Sequence, residues 1–269
     1  MSSNSSKQVD AVVMADQQPA EPQKKSTVQL ILLCIGLPVW VFLGFMLAQA
    51  VILVIIQGLN AVGVPLQAID PTLFQLIAGG VVYALSLVIV IGVPWLVKRA
   101  RTTKEELGIQ RLPNLMDFVW APTGAVVYLI LTTIITALAM SFITFVDYNQ
   151  AQDTGFSGIN EQAEYIMAFL MLVIIAPLAE ELLFRGYLFG KLRKYAPLWI
   201  SILITSLIFA VVHFAWNVGF DVFALSIVLC LLRVVSGSLW PSIMLHMLKN
   251  GVAFYFLFIN PTVLSTLGG

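Results

Sequence analysis

Charge is what this sequence has least of: only 10% of its 269 residues are Asp, Glu, Lys or Arg, and the two signs cancel to a formal net charge of zero. With no basic surface to offer, no nucleic-acid partner is expected. Cysteine is scarcer still. Cys34 and Cys230 both lie inside apolar runs, which excludes a disulfide framework or a CxxC metal motif and predicts two buried, inert thiols. Met1 to Thr27 lacks the short apolar core and small-residue cleavage site of a signal peptide, so the first apolar block is expected to stay as an anchor. Its Ser, Gln, Pro and scattered charge, without periodicity, describe residues 1–27 as a disordered cytoplasmic tail.

What fills the chain instead is hydrocarbon, 59% of all residues. Apolar blocks run at Val28 to Gln57, Leu73 to Val97, Phe118 to Val146, Tyr165 to Phe189, Leu198 to Trp216, Val222 to Val235 and Leu239 to Ile259. About 20 apolar residues suffice to cross a bilayer. The expected fold is therefore all-α, a polytopic transmembrane bundle of about seven membrane helices, with the first three in residues 28–163 and the last four in residues 164–260. The sixth block, roughly 14 residues or about 21 Å, is short for a crossing and predicts that the Ser236-Gly237-Ser238 turn dips into the membrane or that the bilayer thins there. Lys and Arg cluster before the first block and after the second, fourth and sixth. The other connections carry Asp70, then Asp147, Asp153, Glu161 and Glu164, then Asp221, with no Lys or Arg. This alternation predicts a multi-pass cell-membrane protein with a cytoplasmic N-terminus and Gly269 outside. Lys249, inside the seventh block, is the exception and is expected to snorkel or to face a polar interior.

Glu180, Glu181 and Arg185 interrupt a run that is otherwise apolar from Tyr165 to Phe189. Ionisable groups at such a depth are costly and mark functional sites. On a helix, Glu181 and Arg185 are four residues apart on one face and can pair, while Glu180 is rotated about 100° away. Glu181 then reads as the neutralised, structural carboxylate and Glu180 as the one left free to accept a proton. A helix-packing ion pair near the membrane surface is the plainer alternative. The chain's two histidines, His213 and His246, both fall in membrane blocks, each with an Asn four residues later. Counting residues along the hairpins brings Glu180, His213 and His246 to one depth, nearer the extracytoplasmic side. A carboxylate and an imidazole around a water make a general base, and a second imidazole with an amide offers donors to an oxyanion. Ser201, Ser206, Ser236, Ser238 and Ser242 lack an elbow motif for serine chemistry. A zinc site from the histidines and one glutamate is chemically possible but not favoured, since HExxH is absent and Asn250 is a poor ligand.

Glu180-Glu181-xxx-Arg185, Phe209-xxx-His213 and His246-xxx-Asn250, the last entered by Gly237-Ser238-Leu239-Trp240-Pro241, resemble the three motifs of the CPBP family, named for CAAX proteases and bacteriocin-processing enzymes. The resemblance covers roughly Glu164 to Ile259. It implies an intramembrane glutamic endopeptidase without cofactor, in which Glu180 and His213 activate water, Glu181 and Arg185 support them, and His246 and Asn250 donate to the oxyanion. The implied partners are the lipid bilayer and a membrane-associated peptide or protein substrate. A non-enzymatic immunity protein against a bacteriocin is the alternative left open, and a transporter is disfavoured by the lack of inverted halves.

Overall fold

Inside a bilayer no water is available to the backbone, so an apolar chain must close its hydrogen bonds within each helix. The computed structural model describes residues 26–148, 154–156 and 158–262, and shows such helices throughout. Most of the expected tail over residues 1–27, with Lys24, Lys25, Asp153 and Gly269, lies outside the described residues. Six helices are long and apolar enough to span: α1 (Thr27–Ala61), α2 (Pro71–Lys98), α3 (Leu115–Phe142), α4 (Gln162–Leu192), α6 (Trp216–Ser236) and α7 (Trp240–Ile259). Between them lies the shorter apolar helix α5 (Leu198–Val211).

The starts follow local chemistry. Ser26 and Gln29 close a capping box at α1, and Asn114 and Asp117 close another at α3, satisfying amides that an opening turn leaves bare. Asp70 accepts from the Leu73 amide at 2.8 Å, with Pro71 at the first position of α2, where no N–H is needed. Gly237, at φ 64°, ends α6 in the left-handed region.

The boundaries that bear on the site differ from the sequence expectation around α5. α3 ends at Phe142, short of Val146, and α5 ends at Val211, short of Trp216. α6 begins at Trp216 and runs for 21 residues, so the short helix is the fifth and not the sixth. At about 32 Å, α6 can cross, and the Ser236–Ser238 turn need not dip. The break after α5 comes where Phe214 takes φ 50°, a conformation that apolar composition does not announce. Asp221 is accommodated inside α6 because Tyr128 and Thr132 of α3 donate to one carboxylate oxygen, at 2.5 and 2.7 Å, while the Lys249 ammonium lies 3.3 Å from the other.

The cationic connections meet at one end of the bundle. Between α2 and α3 a one-turn helix (Lys104–Leu107) carries Glu106, which pairs with Lys191 at 2.8 Å and with Lys194. A Cβ at Gly190 would lie 2.4 Å from the Glu106 carbonyl oxygen, so only glycine lets the connection seat against α4. The Leu239 amide donates to the Gly108 carbonyl at 2.8 Å, the Gln110 amide to Gly237 at 2.9 Å, and the Trp240 indole to Arg111 at 2.8 Å. The ends of α2, α4 and α6 thus lie together, as alternating traverses require. α4 is deeply packed: Leu183, Phe184, Leu188 and Leu192 are buried, with Val41 of α1 and Val90 of α2. Large side chains facing outward along α1 and α3 are exposed, as a lipid-facing surface allows.

Candidate active site

α4 is not a uniform helix. Stretches of π-helical backbone at Leu170–Ile175 and Leu182–Leu188 flank the α-helical turn Ala176–Glu181, and such insertions recur where helices carry function. Glu180 and Glu181 close this turn. Glu181 is fully buried, and its Oε1 accepts from Arg185 Nη1 at 2.7 Å and from His246 Nδ1 at 2.9 Å. Arg185 is equally buried and lies over the Phe209 ring, 4.1 Å from its centre. Phe209 therefore covers the guanidinium on a face that water would otherwise hydrate.

Glu180 points elsewhere. Its side chain keeps 13% exposure, its Oε2 lies 3.7 Å from His246 Nε2, and its Oε1 accepts from the Tyr83 hydroxyl of α2. The His246 ring stands between the two carboxylates. Because a carboxylate only accepts, the bond to Glu181 puts a proton on Nδ1 and fixes the ring, turning Nε2 toward Glu180.

His213 is the correction. It sits in the turn after α5 rather than on a helix, directly before the positive-φ Phe214, which costs about 1–2 kcal/mol in a non-glycine residue. Its Nδ1 lies 2.7 Å from the Phe209 carbonyl, which fixes the proton there and leaves Nε2 with a free lone pair in the neutral ring. Both histidine rings pack edge-on to Phe209, at 4.9 and 5.8 Å between ring centres. Asn250 lies one turn beyond His246, and one N–H of its amide is committed to the Leu172 carbonyl of α4 at 2.9 Å.

Glu180, Glu181, Arg185 and His246 are thus joined directly, His213 joins them across Phe209, and Asn250 ties α7 to α4. Along α4, Glu180 is about 12 residues or 18 Å from Leu192 and about 18 residues or 27 Å from Gln162. The site therefore lies nearer the cationic end than the sequence count implies, because α4 begins at Gln162 and ends at Leu192. Sequence reading missed Tyr83, the bridging position of the Phe209 ring, and the Asp221–Lys249 pair. Nothing in local spacing announces Tyr83, which is 97 positions from its partner. Among the described residues no group of three or more His, Cys, Asp or Glu side chains is arranged to hold a metal ion. An apolar cavity of about 620 Å³ opens beside the His213 turn, between Leu138 and Phe142 of α3, Leu207 and Val211 of α5, and Phe214 and Phe220.

Residues 162–252, which contain all six candidate residues, match the family description Type II CAAX prenyl endopeptidase Rce1-like. The UPF0177 protein YxdF of Lactococcus lactis subsp. lactis (strain IL1403) is 32% identical over 134 residues, 49% of this chain and 70% of that protein. The chain belongs to the CPBP family. Two further relatives of this CPBP protein are matched over shorter stretches. An uncharacterized 24.3 kDa protein of Escherichia coli is 32% identical over 35% of this chain and 45% of its own length. The membrane-embedded CAAX protease MroQ of Staphylococcus aureus (strain USA300) is 33% identical over 38% of this chain and 44% of its own. No solved structure matches. The CPBP match begins at the first residue of α4, so α1 to α3 lie outside it.

Proposed function

We propose that this multi-pass membrane protein is an endopeptidase that hydrolyses a peptide bond of a membrane-associated peptide or protein, with its site inside the bilayer. The observation that carries the reading is the division between adjacent carboxylates. Glu181 is buried against Arg185 and His246, whereas Glu180 keeps an oxygen directed at His246 and partial access. A water beside Glu180 Oε2 gives a proton to that carboxylate, and the resulting hydroxide attacks the scissile carbonyl carbon. His213 Nε2 is a free acceptor that can orient the water. The developing oxyanion takes a hydrogen bond from His246, whose Nε2 must then carry a proton as well as Nδ1, and that cationic ring is held between Glu180 and Glu181. Glu180 returns its proton to the leaving amine. Arg185 offsets Glu181, so the site holds one catalytic negative charge rather than two. Asn250 supports this by fixing α7 on α4, with its second N–H left for the oxyanion. No step calls on a metal. The apolar cavity beside His213 suits a hydrophobic stretch of substrate lying in the lipid.

The test compares membrane proteomes of cells carrying the wild type and Glu180→Gln. Longer precursors should accumulate in the variant. Identical proteomes, with any resistance to a bacteriocin intact, favour the non-enzymatic alternative.

A further inference from the structure

Tyr83 belongs to the site although no motif contains it. It lies on α2, outside the residues matched to the family, and its hydroxyl donates to Glu180 Oε1. Its placement is built into the packing. At Gly79, one turn earlier on the same face of α2, the Met171 thioether of α4 lies where a Cβ would be, 2.6 Å from its Cε, so the two helices are in contact beside Tyr83. On its other side the Tyr83 ring meets Phe45 of α1 at 5.9 Å, leaving the hydroxyl aimed at α4.

We propose that Tyr83 is the positioning residue for the Glu180 carboxylate, fixing the rotation of its plane so that the oxygen left free faces the water. A carboxylate on a glutamate stem turns about its last torsion with little preference. With Oε1 held by the phenol, the carboxylate is fixed and Oε2 faces His246 Nε2 at 3.7 Å. The Tyr83 proton stays on its oxygen throughout, because its work is done through orientation. Without it, the carboxylate plane rotates about that torsion and neither oxygen stays in line with the water. The same device recurs in the Tyr128 hydroxyl that donates to Asp221. There, however, Thr132 and Lys249 complete the set, while Glu180 keeps one oxygen for chemistry. The α1–α3 half is thereby required for catalysis and is not merely an anchor.

This inference rests on the peptidase reading, so the test has one readout that depends on cleavage and one that does not. For the first, a peptide spanning the cleavage site of a precursor accumulated by Glu180→Gln is offered to purified wild type and Tyr83→Phe. The expected result is a fall in kcat of about tenfold or more with KM unchanged within twofold, since the phenol never touches substrate. For the second, melting temperatures are measured for wild type, Tyr83→Phe, Glu180→Ala and the double variant. Removing the hydroxyl should lower melting by several degrees when Glu180 is present and by less than one degree when it is absent, whereas a residue that only packs shows the same loss in both. Equal losses overturn the proposal. So does a wild type that cleaves beside a Tyr83→Phe whose kcat is within twofold. A wild type that cleaves nothing sinks the peptidase reading and the catalytic role of Tyr83 with it, and the melting data still decide whether Tyr83 holds Glu180.

Discussion

Glu181 and Glu180 differ by one position and by almost everything else. Glu181 shares one oxygen between a guanidinium and an imidazole, both buried, so removing its charge strands Arg185 in an apolar setting beneath Phe209. Breaking a buried pair from one side costs on the order of 3–5 kcal/mol. Glu181→Gln should therefore lower the yield of folded protein in detergent and its melting temperature, with activity falling in step with the folded fraction and with the loosened His246. A stable, well-folded Glu181→Gln lacking all activity would reverse the assignment of roles. The four-residue spacing from Glu181 to Arg185 made this pair legible in the sequence, because a helix puts i and i+4 on one face. The bond from Glu181 to His246 was not legible, since it crosses 65 positions and depends on where α7 docks.

At the scale of elements, apolar runs announced six helices long enough to span and the shorter α5, but their ends depended on features that carry no compositional mark. The residues from Val212 to Ala215 are as apolar as α5 itself apart from His213, and only the backbone turn at Phe214 separates them from the helix. The π-helical stretches of α4 are equally silent in sequence. Asp221 misled in the opposite direction, reading as a loop residue because its partners Tyr128, Thr132 and Lys249 come from other helices. The clamp between the one-turn helix and α4 yields a pH prediction. Burial alone would raise the Glu106 carboxyl, but hydrogen bonds from Lys191 and Lys194 outweigh it and hold the group below its ordinary value of 4.5. A depressed folded value means stability that is present above about pH 4.5 and lost as pH falls through the folded value. Glu106→Gln should therefore lower stability, and with it the melting temperature, at pH 7, by no more than about 1 kcal/mol because Lys194 is partly solvated. The gap between variant and wild type should close as pH drops below 4.5. A gap that stays constant from pH 7 to 3 would mean that the clamp contributes nothing through charge.

For the whole molecule, the gathering of cationic connections at one end gives the bundle a polarity, and the positive-inside rule turns that polarity into an orientation. A reporter inserted at Thr103 is expected to read as cytoplasmic and one fused after Gly269 as extracytoplasmic. Cytoplasmic readings at both would mean an even number of crossings, with the short α5 failing to traverse. The motifs on α4, at the end of α5 with the turn after it, and on α7 were legible as a family resemblance, while the proposed contribution of α2 needed the assembled bundle. The central claim is that a single membrane-buried carboxylate carries out hydrolysis, and the cleavage rate of purified Glu180→Gln in lipid vesicles, measured beside its melting temperature, tests it most directly. The substitution is nearly isosteric and strands no cation, so the account predicts wild-type folding with cleavage abolished; near wild-type turnover by a folded Glu180→Gln would contradict it.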